Sequence, residues 1–206
     1  MLTLAIDSAT EACSVALFDG DRLLAGDCRI LGRGHAEQLV PMIAALPGKG
    51  KAGRIAVAMG PGSFTGVRVG LAAARALAYA WGAELAGYPT LALIAAMARA
   101  QCGPTSLAVV TTGGHGEWFV QSFAADGSPL APLASLTPAE AAALTGETLV
   151  AGNQAAALVA LRSSGEAIAM LPDARALPLI PASAFTPAVQ PIYGRAPDAR
   201  LPLAAR

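Results

Sequence analysis

Residues 59–81, MGPGSFTGVRVGLAAARALAYAW, place three glycines at the end of an apolar run and ahead of a long stretch of small residues. A glycine-rich loop opening a helix leaves free backbone N–H groups at the helix N-terminus, and such a cradle binds phosphate. The spacing here fits neither standard version. A Walker A loop needs a lysine after its final glycine, but Gly66 is followed by Val67 and Arg68. The dinucleotide fingerprint reads G-x-G-x-x-G, which Gly60, Gly62 and Gly66 miss by one residue. Two readings stand: an anion site, or glycines that turn the chain tightly between a strand and a helix.

Asp7-Ser8-Ala9-Thr10 is the second candidate. It resembles the first phosphate hairpin of the actin and sugar-kinase fold, which reads D-x-G-T. Ala9 stands where a glycine would let the backbone approach a phosphate. With Gly60, Gly62 and Ser63, this turn reads as a vestigial phosphate site or as a plain polar turn. Metal chemistry lacks its usual pair, because helical metal sites set histidines at i and i+4. Four residues after His35 comes Leu39, and the other histidine, His115, is remote in sequence. No metal or other cofactor is expected. Ser63 and Thr65 carry hydroxyls, but neither lies in a G-x-S-x-G nucleophile turn.

Positioning these turns requires a core, and the composition supplies one: 54% of the 206 residues are hydrophobic. Fourteen Lys and Arg balance fourteen Asp and Glu, a poor base for direct nucleic-acid binding, which leans on a basic face. The apolar stretches are short or broken by proline, as at Pro178, Pro181, Pro187 and Pro191, so no membrane span is expected. The N-terminus lacks the basic region of a signal peptide, and the three cysteines have no C-x-x-C spacing. A cytoplasmic protein with reduced thiols follows.

LTLAID, EACSVALF and RLLAGDCRI read as an antiparallel meander, with a hairpin turn at Asp19-Gly20. HAEQLVPMIAAL is an amphipathic helix that Pro41 should kink or restart. RIAVAM is a buried strand, and LAGY another. CGPTS, residues 102–106, is the expected boundary between a first lobe, 1–101, and a second, 102–206. In the second, SLAVVTT, EWFVQSF and TLVAGN read as strands. Thr137, Pro138 and Glu140 announce a helix with a capping box, and QAAALVALR reads as another helix. Along the helix after the glycine loop, Gly70, Ala74 and Ala78 are small and share a face with Val67 and Leu71. Small side chains let a neighbouring helix come close. Periodicity leaves open whether that neighbour lies in this chain or in another.

AIDSATEACSVALF, HAEQLVPMI, GPGSFTGVRVG and PIYGR, in this order, resemble the bacterial TsaB (YeaZ-type) family. The resemblance is strong over about the first 95 residues and returns at residues 191–195. It implies an α/β, actin-like (ASKHA, ribonuclease H-like) fold of two lobes, the second reduced. It implies a non-catalytic subunit working with the enzyme TsaD and the ATPase TsaE. Their joint reaction moves threonylcarbamoyl from threonylcarbamoyl-adenylate to N6 of adenosine 37 in tRNAs reading ANN codons, so tRNA is met only through the complex. It further implies that the helices matching residues 35–46 and 66–81 pack against TsaD, or against a second copy in a homodimer. His35, Leu39, Ile43, Val67, Arg68, Gly70, Leu71, Ala74 and Ala78 are the expected contacts. Where relatives carry an Asp-Ala-Arg element, this chain reads Thr112-Gly113-Gly114. Two other functions stay open on the residues: an ATP-binding enzyme of the kinase fold, with Val150-Ala151-Gly152-Asn153 as its second loop, and a metallopeptidase.

Overall fold

The computed structural model describes residues 1–194, so Arg195 of the PIYGR motif lies outside the described residues. The meander forms as the apolar alternation predicts, with β1 (Leu2–Asp7), β2 (Ala12–Asp19) and β3 (Arg22–Ile30) antiparallel. β4 (Arg54–Ala58) and β5 (Glu84–Tyr88) add to the other side of β1 in parallel, giving the order β3-β2-β1-β4-β5. β1 and β4 are buried almost throughout, which is why they read as near-continuous apolar runs. The exposed edge strand β3 carries the charges.

α1 (His35–Ala45) connects the meander to β4, α2 (Phe64–Trp81) connects β4 to β5, and the two helices lie side by side. Pro41 does not restart α1. The helix runs through it unbroken, with the exposed proline on the solvent side, where Leu39, Met42 and Ile43 hold the opposite face in the core. α3 (Thr90–Cys102) joins the lobes: Leu93 packs in the first core, whereas Leu91, Ile94 and Ala98 pack with Leu107 and Val109 of the second.

The second sheet repeats the first. β6 (Leu107–Gly114), β7 (Glu117–Phe123) and β8 (Ala134–Leu136) form an antiparallel meander. β9 (Leu149–Ala151) and β10 (Glu166–Ile168) run parallel on the far side of β6. The order β10-β9-β6-β7-β8 is that of the first sheet, strand for strand. α4 (Pro138–Leu144) and α5 (Ala155–Arg162) take the places of α1 and α2, and the capping box at Thr137 and Glu140 is present. The unit is reduced: β8, β9 and β10 have three residues each.

The domain boundary needs one correction. Residues 174–192, counted with the second lobe, pack on the first. After β10 the chain crosses back, and Ala174, Leu177, Ile180 and Val189 enter the first core. The Ala174 N–H donates to Ser14 Oγ at 2.9 Å. Thr186 bridges Gly87, and the Ile192 N–H donates to the Met59 carbonyl at 2.8 Å. Prolines had marked this tail as irregular, but its apolar residues had given no sign of which sheet they would cover.

Candidate functional site: the helix pair and the inter-lobe cleft

The glycine loop is filled by the chain itself. The Ser63 N–H donates to the Ala9 carbonyl at 2.6 Å, and Ser8 Oγ donates to the Gly66 carbonyl at 2.9 Å. A Cβ at Gly62 would overlap the Ala9 carbonyl oxygen, and one at Gly66 would overlap that of Ser8. At Gly70 a Cβ would fall 2.5 Å from Ser8 Oγ. The three glycines are therefore the space in which the β1–β2 turn rests on the α2 N-terminus. Thr10 closes its own turn by accepting from the Ala12 N–H at 3.2 Å. Ser63 caps α2, its hydroxyl accepting from the Gly66 N–H at 3.3 Å.

Asp7, at the end of β1, is fully buried. Its Oδ1 accepts the Ala9 N–H at 3.0 Å, and Oδ2 has no partner among the described residues. Burial pushes its carboxyl up to about 7, against the pull of that hydrogen bond and with a smaller push from Asp173. Burial likewise raises the thiols of Cys13 and Cys28 to about 11, whereas Cys102 is exposed. Thiolate is the reactive form, so titration of the folded chain with Ellman's reagent at pH 7.5 should give one fast equivalent, from Cys102. The others should appear only on unfolding; three fast equivalents would mean an open meander.

His35 Nε2 donates to the Thr10 carbonyl at 2.8 Å. Its ring thus ties α1 to the first hairpin. His115 sits in the β6–β7 turn with φ of 54°. No cluster of three His, Cys, Asp or Glu side chains among the described residues could hold a metal ion.

The expected partner contacts require a correction. His35, Leu39, Ile43, Val67, Gly70, Leu71, Ala74 and Ala78 are all buried within this chain. On the small-residue face of α2, Gly70 meets the chain's own β1–β2 turn at Ser8, as Gly66 does, and Ala74 and Ala78 lie in the first core. The spacing identified a close contact but not its other side. The outward face instead carries Ala36, Val40, Pro41 and Ala44 on α1, and Ala72, Ala76, Tyr79 and Ala80 on α2. Val40 is 56% and Tyr79 93% exposed. Of the expected contacts, only Arg68 is exposed, and it turns away to the cleft.

That cleft, about 850 Å³, opens between the lobes. On its first-lobe wall the Arg68 guanidinium lies 3.1 Å from the centre of the Phe64 ring and 5.4 Å from that of Tyr193. Arg68 Nη2 donates to the Tyr193 hydroxyl at 2.7 Å. Across the cleft, Asn153 accepts the Thr112 N–H at 3.0 Å and donates to Glu11 Oε1 at 2.8 Å, linking the lobes. A Cβ at Gly152 would overlap the Val110 carbonyl, and the Gln154 N–H donates to that same oxygen at 3.2 Å. The VAGN turn thus repeats the close approach of the first glycine loop. Sequence reasoning missed the Arg68–Tyr193 pair, whose members are 125 residues apart, and the Asn153 clamp. The glycine in VAGN was the one signal for the latter.

Two equivalent α/β units facing each other across a cleft define an actin-like protein of the ASKHA class. The family described as TsaD, tRNA N6-adenosine threonylcarbamoyltransferase, matches residues 29–172. The tRNA threonylcarbamoyladenosine biosynthesis protein TsaB of Escherichia coli K12 is 34% identical over 131 residues, 61% of this chain and 56% of that protein. Its namesake in Haemophilus influenzae is 40% identical over 103 residues, 47% of this chain and 42% of its own. The chain spans about half the length of the curated relatives it matches. A crystal structure from Pseudomonas aeruginosa, of a protein described as similar to peptidase YeaZ, superposes with a TM-score of 0.78 at 27% identity, covering 94% of this chain and 99% of that one. The chain belongs to the TsaD family of ASKHA proteins, as a TsaB (YeaZ-type) member. No helix among the described residues is long and apolar enough to cross a membrane.

Proposed function

We propose that this chain is a non-catalytic subunit of tRNA threonylcarbamoyladenosine synthesis, holding a TsaD-type enzyme through the outer face of α1 and α2. In that assembly a TsaE-type ATPase joins the pair, and the TsaD-type subunit transfers the threonylcarbamoyl group to adenosine 37 of ANN-reading tRNAs. In isolation the same face pairs two copies of the chain. The observation that carries the reading is the apolar outer face itself: Val40, Pro41 and Ala44 beside Ala72, Ala76 and Ala80, all exposed on neighbouring helices. Small residues there admit a facing helix at close range. The chain's own backbone in the glycine loop also speaks for a binding role, since Ala9 takes the Ser63 N–H that a phosphate would use.

The test places bulk on that face. Ala76→Trp should leave thermal melting within a few degrees of the parent, because Ala76 is exposed. Overpacking an interface by ~1–3 kcal/mol corresponds to a loss of about fivefold to a hundredfold in affinity. Titration against the TsaD-type subunit of the same organism should show that loss. Ala157→Trp, on the exposed side of α5, should bind normally. Equal binding by Ala76→Trp and the parent would remove the helix pair from the interface.

A further inference from the structure

We propose that residues 173–180 form a proton-controlled flap, closed over Asp7 while that carboxyl carries its proton and opening when the proton leaves. Asp7 and Ser14 are cross-strand partners on β1 and β2, so their side chains stand on one face, about 5 Å apart at Cβ. The crossing segment lands on that face: the Ala174 N–H donates to Ser14 Oγ at 2.9 Å. Asp7, Ser14 and Ala174 are all fully buried. The first turn of the segment is thus part of the cover over the carboxyl.

That cover is lightly fastened. Among the described residues, the Ala174 bond is the only hydrogen bond from residues 173–180 to the sheet. The N–H groups of Arg175, Ala176 and Ile180 bond within the segment, to Asp173 Oδ1 and to the carbonyls of Asp173 and Leu177. Ala174, Leu177 and Ile180 supply the apolar hold. A stretch with so few ties opens apart from the rest of the fold. Residues 186–192 have ties of their own: Thr186 bridges Gly87, Arg75 Nη2 donates to the Val189 carbonyl at 2.6 Å, and Ile192 bonds Met59. The opening ends before them.

The charges set the direction. Asp173 acts on Asp7 from the segment, and the segment's cation, Arg175, is turned onto Asp173, Nη2 to Oδ2 at 2.6 Å. On β3, Asp27 and Arg29 pair with each other at 2.7 Å. Burial keeps the thiols of Cys13 and Cys28 and the phenol of Tyr88 neutral through pH 7.5. α3 and β4 carry no charge except Arg99 and Arg54, at their far ends. Ionised Asp7 therefore meets a second carboxylate and pairs with no cation among the described residues. A buried unpaired charge is costly, and raising the segment lets water reach Oδ2. With the flap closed the carboxyl ionises only at about 7, and with it open the carboxyl returns towards 3.8. Opening then grows by up to about tenfold per pH unit between those values and levels off above them.

Hydrogen exchange read by mass spectrometry on the full chain tests this, with labelling times corrected for the intrinsic effect of pH. From pH 5.5 to 7.5 the amides of residues 174–180 should lose about twentyfold in protection. They should stay less protected than residues 55–57 of β4, and ~0.5 M urea should leave them unchanged, since a small opening exposes little surface. In Asp7→Asn the response to pH should shrink below about threefold. The proposal falls if protection of the segment in the parent changes by less than about threefold between the two pH values. It falls equally if segment and β4 exchange at one urea-dependent rate, which is global unfolding, or if Asp7→Asn responds to pH as the parent does.

Discussion

Asp7→Asn is expected to stabilise the chain at pH 8 and to flatten the dependence of its stability on pH. The carboxyl is fully buried, with Oδ2 unpaired among the described residues, and burial lifts it from 3.8 to about 7. Folding therefore favours the protonated form. Below about pH 4 both folded and unfolded chains carry the proton, and the residue costs nothing. Between about pH 4 and 7 the unfolded chain ionises first, and stability falls as pH rises. Above about 7 both are ionised and the cost is complete. At ~1.4 kcal/mol per unit, the shift corresponds to a cost on the order of 4 kcal/mol. Asparagine keeps an oxygen for the Ala9 N–H and never ionises. With about 2–4 °C per kcal/mol for a chain of this size, the variant should melt roughly 10 °C higher at pH 8. At pH 4 the two proteins should melt together. Melting curves that stay parallel from pH 4 to 8 would show that Asp7 is not a buried titrating group.

Gly66→Ala should be the most damaging conservative change in the first lobe. On propensity alone, alanine in a helix gains ~1 kcal/mol over glycine. Here its Cβ would overlap the Ser8 carbonyl oxygen, a backbone atom fixed by the β1–β2 hairpin and unable to swing aside. Overpacking costs ~1–3 kcal/mol in ordinary cores, and an immovable obstacle places this site at or above that upper end. The urea midpoint should fall with an unchanged slope. Gly146→Ala is the control, since nothing lies within 4 Å of its added Cβ. If Gly66→Ala unfolds like the parent, the close approach is absent, and the glycines await another explanation, the phosphate cradle among them.

How much of this was legible beforehand depended on whether the signal was local. The first sheet was, because alternation and the Asp19-Gly20 turn act within a few residues. The Thr137 box was legible for the same reason. β8 and β10 were not: three-residue strands such as Glu166–Ile168 have no period to detect, and their pairing to longer strands makes them. The glycine loop showed that something approaches closely, and residues 67–78 showed a face of small side chains. Neither could say that the approaching object was the Ser8-Ala9 turn, about 60 positions earlier. Reading that face as a partner surface therefore assigned the inner side of α2 to the outside. The cleft was least visible, since Arg68, Thr111, Asn153 and Tyr193 come from four separate segments.

The crossing of the tail back to the first sheet sets a clock on the birth of the molecule. A ribosome delivers β1 through α3 first, but Ala174, Leu177, Ile180 and Val189, which complete that core, follow about 70 or more residues later. At ~5–20 residues per second, the interval is roughly 4–14 s or longer. Throughout it the nascent first lobe shows water the apolar surface that those residues will cover, so the emerging chain offers chaperones a timed binding window that closes only when the tail docks.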